Sequence, residues 1–121
     1  MGFDVDAYYG DEGSEVSTKA AIEAAFAEAA DWAQRHGGGC DGFLSLGSLD
    51  CGQSQEFLSR AIGRTIAPSI RIWPADEVRQ LAAAAIWPDL NSIATDERWA
   101  YWSARKFLEV CVQHGLGIWT S

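Results

Sequence analysis

Asp4-Val5-Asp6 is the first constellation in the chain whose residue types and spacing suit chemistry. On an extended strand the two carboxylates share a face, and paired oxygen donors of this kind hold Mg²⁺ or Ca²⁺. A phosphoryl-transfer site would add Ser/Thr, Lys and further acidic motifs, and none follow. The solvent face of a strand is therefore the expected place for both residues. His36-x3-Cys40-x10-Cys51 assembles three softer ligands. Zinc sites are usually announced by two close ligand pairs, and here only His36 and Cys40 are close, so no metal is expected. Cys51 lies where a helix should begin, a position that favours thiolate, but a nucleophile also needs a base. His36 and His114 are the two imidazoles of the chain, and no motif ties either to Cys51. Cys111 falls on the apolar face of a helix with Ala100, Ala104 and Phe107 and reads as packing.

Glycine-rich phosphate chemistry is also missing. Gly37-Gly38-Gly39-Cys40-Asp41-Gly42 follows a helix, the wrong order for a dinucleotide or phosphate loop. Gly47-Ser48-Leu49 runs from a predicted strand into a helix but has no Lys and no glycine after its Ser, as a nucleophile elbow requires.

The elements that would position these groups are read from periodicity. Phe3 to Tyr9 alternates, with Phe3, Val5, Ala7 and Tyr9 on one side and Asp4, Asp6 and Tyr8 on the other, which is the pattern of a half-buried strand. Ser17 to His36 changes to helical spacing, with Ile22, Ala25, Phe26, Ala29, Trp32 and Ala33 on one face. Ser17 or Thr18 suits its N-cap, and the three glycines from Gly37 end it. Phe43 to Leu49 is a short apolar run expected as a buried strand. Asp50 with Gln53 then forms a capping box that opens a helix through Ile62, stopped by Gly63.

Ile70 to Trp73 alternates between Pro68 and Pro74, which predicts a short edge strand. Pro74 starts a third helix with Asp76 and Glu77 in its first turn, and Pro88 ends it. Thr95 or Asp96 caps a last helix to His114, closed by Gly115, and Leu116 to Thr120 forms a final strand. A single globular domain over residues 1–121 is expected, an α+β or α/β two-layer sandwich. It would have a three- to four-stranded sheet and about four helices packed on it, with the C-terminal strand beside the first.

On the last helix Trp102 projects into the middle of the face that carries Arg98, Arg105, Lys106 and Glu109. An indole among charges marks either a binding hot spot or a side chain packed under a neighbouring element. Charge is uneven along the chain. Residues 1–31 carry eight acids against Lys19 alone, whereas residues 32–121 carry nine acids and eight bases. The net charge of −8 disfavours nucleic acid and anionic membrane as partners, while one-signed charge on one region speeds encounter with a basic protein. No apolar run approaches the roughly 20 residues of a membrane span. The N-terminus has no basic region followed by an apolar stretch, and three cysteines are an odd number, so reduced thiols in a cytoplasm are expected. Seven Arg against two Lys, with abundant Ala, suggest a GC-rich bacterial gene.

The Met1-Gly2-Phe3-Asp4-Val5 opening, the acidic first strand and the closing helix and strand from Phe107 to Trp119 resemble small bacterial immunity proteins. The resemblance implies a cytoplasmic inhibitor without a cofactor, which neutralises a basic toxin domain, such as a nuclease, by binding it. In such a protein Asp4, Asp6, Asp11, Glu12 and Glu15 would guide approach and register, and Tyr8, Tyr9 and Trp102 would supply contact area. Two other readings stand beside it. One is a small enzyme or ligand-binding domain that uses Cys51, His36 and the aspartates; the other is a homodimer.

Overall fold

A computed structural model describes residues 4–8, 19–66 and 70–121. Three strands, β1 (Val5–Tyr8), β2 (Arg71–Trp73) and β3 (Gly117–Thr120), form an antiparallel sheet in the order β1-β3-β2. Four helices complete the fold: α1 (Lys19–Gly37), α2 (Gly52–Ile62), α3 (Ala75–Ala83) and α4 (Arg98–Gln113). The antiparallel sheet makes this a small α+β domain. No helix among the described residues is long and apolar enough to cross a membrane.

The C-terminal strand lies beside the first, as its short connection from the last helix predicts. Val5 faces Thr120, Asp6 faces Trp119, and Tyr8 faces Gly117. On the other side of β3, Arg71 faces Thr120, Ile72 faces Trp119, and Trp73 faces Ile118. The central strand accordingly contains the glycine that its neighbour demands. A Cβ on Gly117 would stand 2.5 Å from the Trp73 carbonyl oxygen, closer than any real contact. The proline-flanked β2 is an edge strand, in keeping with its sequence.

Val5, Trp73, Ile118 and Thr120 turn one face of the sheet inward, where Ile22 and Phe26 of α1, Leu58 of α2 and Phe107 of α4 fill the core. Phe26 and Phe107 meet with ring centres 6.0 Å apart. Alanines at 29, 30 and 33 on α1 and at 100 and 104 on α4 are buried, which suits close helix packing. The C-terminal end of α1 abuts the start of α4 so closely that a Cβ on Gly37 would lie 2.7 Å from the Trp99 Cα. Gly38, at φ 78°, then takes the left-handed turn that ends α1.

Four expectations need correction. The last helix starts at Arg98 with Glu97 as its N-cap, because Thr95 and Asp96 belong to a 3₁₀ turn over Thr95–Glu97. Phe43 to Leu49 is not a strand but holds a 3₁₀ turn at Leu44–Leu46, left through Gly47 at φ 81°. Leu44 and Leu49 are buried while Phe43 and Leu46 are exposed, so the run does not alternate as a sheet would require. Its end still closes the outer edge of β1, because the Ala7 N–H donates to the Gly47 carbonyl at 2.8 Å and the Leu49 N–H to the Val5 carbonyl at 2.7 Å. The Asp50–Gln53 capping box does not form either. Cys51 is the N-cap of α2, without a side-chain cap bond, and the Asp50 carboxyl turns toward Asp4 instead. Finally, α3 stops at Ala83 rather than running to Pro88, since the Ile86 N–H donates to the Ala61 carbonyl at 2.9 Å. The expected caps Ser17 and Thr18 lie outside the described residues.

Candidate functional site

Directly opposed residues on antiparallel strands share a face, so Asp6, Trp119 and Ile72 line up across the sheet on the side away from the helices. Trp119 is 45% exposed and Ile72 49%, and Ile70, just before β2, is 83% exposed. Among the described residues, the helices pack on the other side of the sheet and leave this face without a partner layer. A row of large apolar side chains here is the kind of surface that marks an interaction site.

Carboxylates gather at the β1 side of the same sheet. Ser48 donates its hydroxyl to Asp6. The Asp50 carboxyl is hydrogen-bonded to Asp4 and is pushed above its ordinary pKa of 3.8, first by burial, then by that bond and by the charges of Asp4, Asp41 and Asp6. Asp41 is itself buried and serves the backbone. It accepts from the Phe43 N–H at 3.2 Å and the Cys51 N–H at 2.8 Å, while its own N–H donates to Ser103 Oγ at 2.9 Å. Among the described residues, none of the ion pairs includes Asp4, Asp6, Asp41 or Asp50. Among the described residues, the negative field of this corner is therefore uncompensated by an ion-paired cation.

The expected contact residues separate. Asp4 is exposed, and Asp6 and Tyr8 are half-buried on β1. Tyr9, Asp11, Glu12 and Glu15 lie outside the described residues. Trp102 is half-buried against the core, edge-on to Trp32 of α1 at 4.4 Å and to Tyr101 at 4.9 Å between ring centres. Its indole N–H is buried without an acceptor among the described residues. The helical projection placed it among charges correctly, but α1 covers that part of the helix and turns the indole into packing. Arg105 and Lys106 frame the cluster, with the Lys106 ammonium 4.1 Å from the centre of the Trp32 ring.

Among the described residues, no hydrogen bond or ring contact joins His36 to Cys51. His36 stacks on Trp32 at 3.7 Å and donates from Nδ1 to the Trp32 carbonyl at 2.9 Å. Cys51 is half-buried at the start of α2. Cys40 has its thiol pKa raised by burial and by the charge of Asp41, and Cys111, wholly buried, is pushed up much further. Among the described residues, no three His, Cys, Asp or Glu side chains are disposed to hold a metal ion.

Sequence reasoning missed Trp119, Ile72 and Asp50 as surface groups. Alternation in Ile70-Arg71-Ile72-Trp73 was a visible signal, but only the strand order tells which side of that strand the helices cover. Compared with known protein families, curated proteins and solved structures, the chain matches none.

Proposed function

We propose that this chain is a non-catalytic protein-binding domain of the immunity type, which engages a basic partner across the open face of its sheet. One observation carries the reading: exposed Trp119, Ile72 and Ile70 adjoin carboxylates that no cation neutralises among the described residues. Apolar anchors beside uncompensated charge match what an inhibitor of a basic protein needs. Long-range attraction raises the encounter rate, and buried aromatic area slows dissociation. The resemblance to immunity proteins supplies the class of partner, a cationic toxin domain such as a nuclease, held in a cytoplasm.

The test is a pull-down from lysate of the source cell at low and moderate salt, run with wild type, with Trp119→Ala, and with Asp4→Asn/Asp6→Asn. Support requires one stoichiometric basic protein that is retained by wild type, is released as salt rises, is weakened by each variant, and loses its own activity when bound. A basic partner held equally by all three proteins would refute the proposed surface.

A further inference from the structure

The geometry points to a second site, independent of the sheet face: a cleft between α3 and α4 that binds a small aromatic or branched monocarboxylate. The cleft has a volume of about 400 Å³, within the range of small-molecule sites. It exists because α3 and the turn that follows it present only short side chains there. Ala82 and Ala85 stand across from Leu108 and Val112 of α4, leaving an apolar slot, and Trp87 closes one wall.

Arg105 lines the same slot, and its environment holds the guanidinium ready for an anion. Its Nη1 donates to the Tyr101 hydroxyl at 2.5 Å. The guanidinium carbon also lies between 5.7 and 5.9 Å from the ring centres of Trp87, Tyr101 and Trp102. This leaves donors on the planar fork without a short partner, in the geometry that recognises carboxylates. Glu109 is the one acid in the lining. Its Oε2 is paired with the Lys106 ammonium at 3.0 Å, and its Oε1 forms a looser ion pair with Arg105 Nε at 3.6 Å, beyond hydrogen-bond distance. Glu109 is thus shared between two cations, and an entering carboxylate needs to displace only the longer of its two pairings. A flat ring between the alanines and Leu108, with its carboxylate on Arg105, satisfies both the slot and the cation.

Phenylacetate and its uncharged isostere phenylacetamide distinguish a cation-directed site from a merely greasy one. Calorimetric and NMR titrations of the full chain should show saturable 1:1 binding of phenylacetate with Kd at or below about 1 mM. Shifts should centre on the Ala82 and Ala85 methyls and the Trp87 indole. Phenylacetamide should bind about tenfold more weakly or worse, the difference of one charge-assisted contact. Arg105→Gln should bring the acid down to the level of the amide, and Ala85→Leu, which fills the slot, should abolish both. The site is refuted by absent saturation with phenylacetate at about 10 mM, by equal binding of acid and amide to wild type, or by shifts centred elsewhere. The acid-to-amide comparison on wild type stands even where a variant fails to fold.

Discussion

Asp50 carries the largest electrostatic tension among the described surface acids, because burial and three other aspartates all oppose its ionisation. The folded chain holds the Asp50 proton more tightly than the unfolded chain does. That advantage to the native state is full below about pH 3.8 and is lost as pH rises through the raised value. At neutral pH an ionised Asp50 therefore works against folding. Asparagine removes the charge and keeps an N–H for the bond to Asp4. Asp50→Asn should raise Tm at pH 7, and the gain should shrink to nothing near about pH 3, where wild-type Asp50 is protonated too. Thermal melts at the two pH values decide it, and an unchanged or lower Tm at pH 7 would show that the carboxylates do not crowd Asp50. The same residue shows what a sequence pattern leaves open. Asp50 followed by Gln53 satisfies the capping rule, yet the carboxylate competes for its bonds with whatever β1 brings alongside, and that neighbour is 46 positions away in the chain.

The contact between α1 and α4 is the clearest case of an element-level device. Trp32 and Trp102 meet edge-on, His36 stacks on Trp32, and Lys106 lies over the same ring. A double-mutant cycle on Trp32→Ala and Trp102→Ala, followed by denaturant unfolding, should return a coupling of about 0.5–1.5 kcal/mol, the usual worth of an aromatic pair beyond its buried area. Additive losses would mean that the two indoles act separately and that Trp102 is available to a partner. All four helices were legible from spacing, since Ile22, Phe26, Ala29 and Ala33 or Ala100, Ala104, Phe107 and Cys111 repeat at helical intervals and are all buried. So were β1, β2 and β3, each marked by alternation or by flanking turns. The segment from Phe43 to Leu49 was not, because four or five apolar residues have no period long enough to separate a strand from a 3₁₀ turn. Which of its two readings Trp102 follows was not legible for a related reason. A helical wheel gives an angle around one axis and says nothing of which helix lies across it.

At the scale of the whole molecule, a charge of −8 and an open apolar face act against each other. Like charges keep copies apart at neutral pH, and Trp119 and Ile72 remain exposed with little consequence. Near the isoelectric point, about pH 4.5, that repulsion vanishes while the apolar area is unchanged. Asp50, beside the face, has its pKa raised by burial and by the neighbouring aspartates, so its own charge is lost early on that descent. Self-association should therefore set in as pH falls from 7 toward 4.5, and it should run through this face rather than through the molecule at large. Trp119→Gln with Ile72→Thr changes no charge and, at exposed positions, should alter stability by only about 0.5 kcal/mol each. Sedimentation velocity on wild type and the double variant at both pH values separates the two contributions. Association of wild type at pH 4.5 that the variant loses locates the sticky surface on the sheet. Association of equal extent in both would assign it to general loss of charge, and would remove the apolar row from any account of how this protein meets a partner.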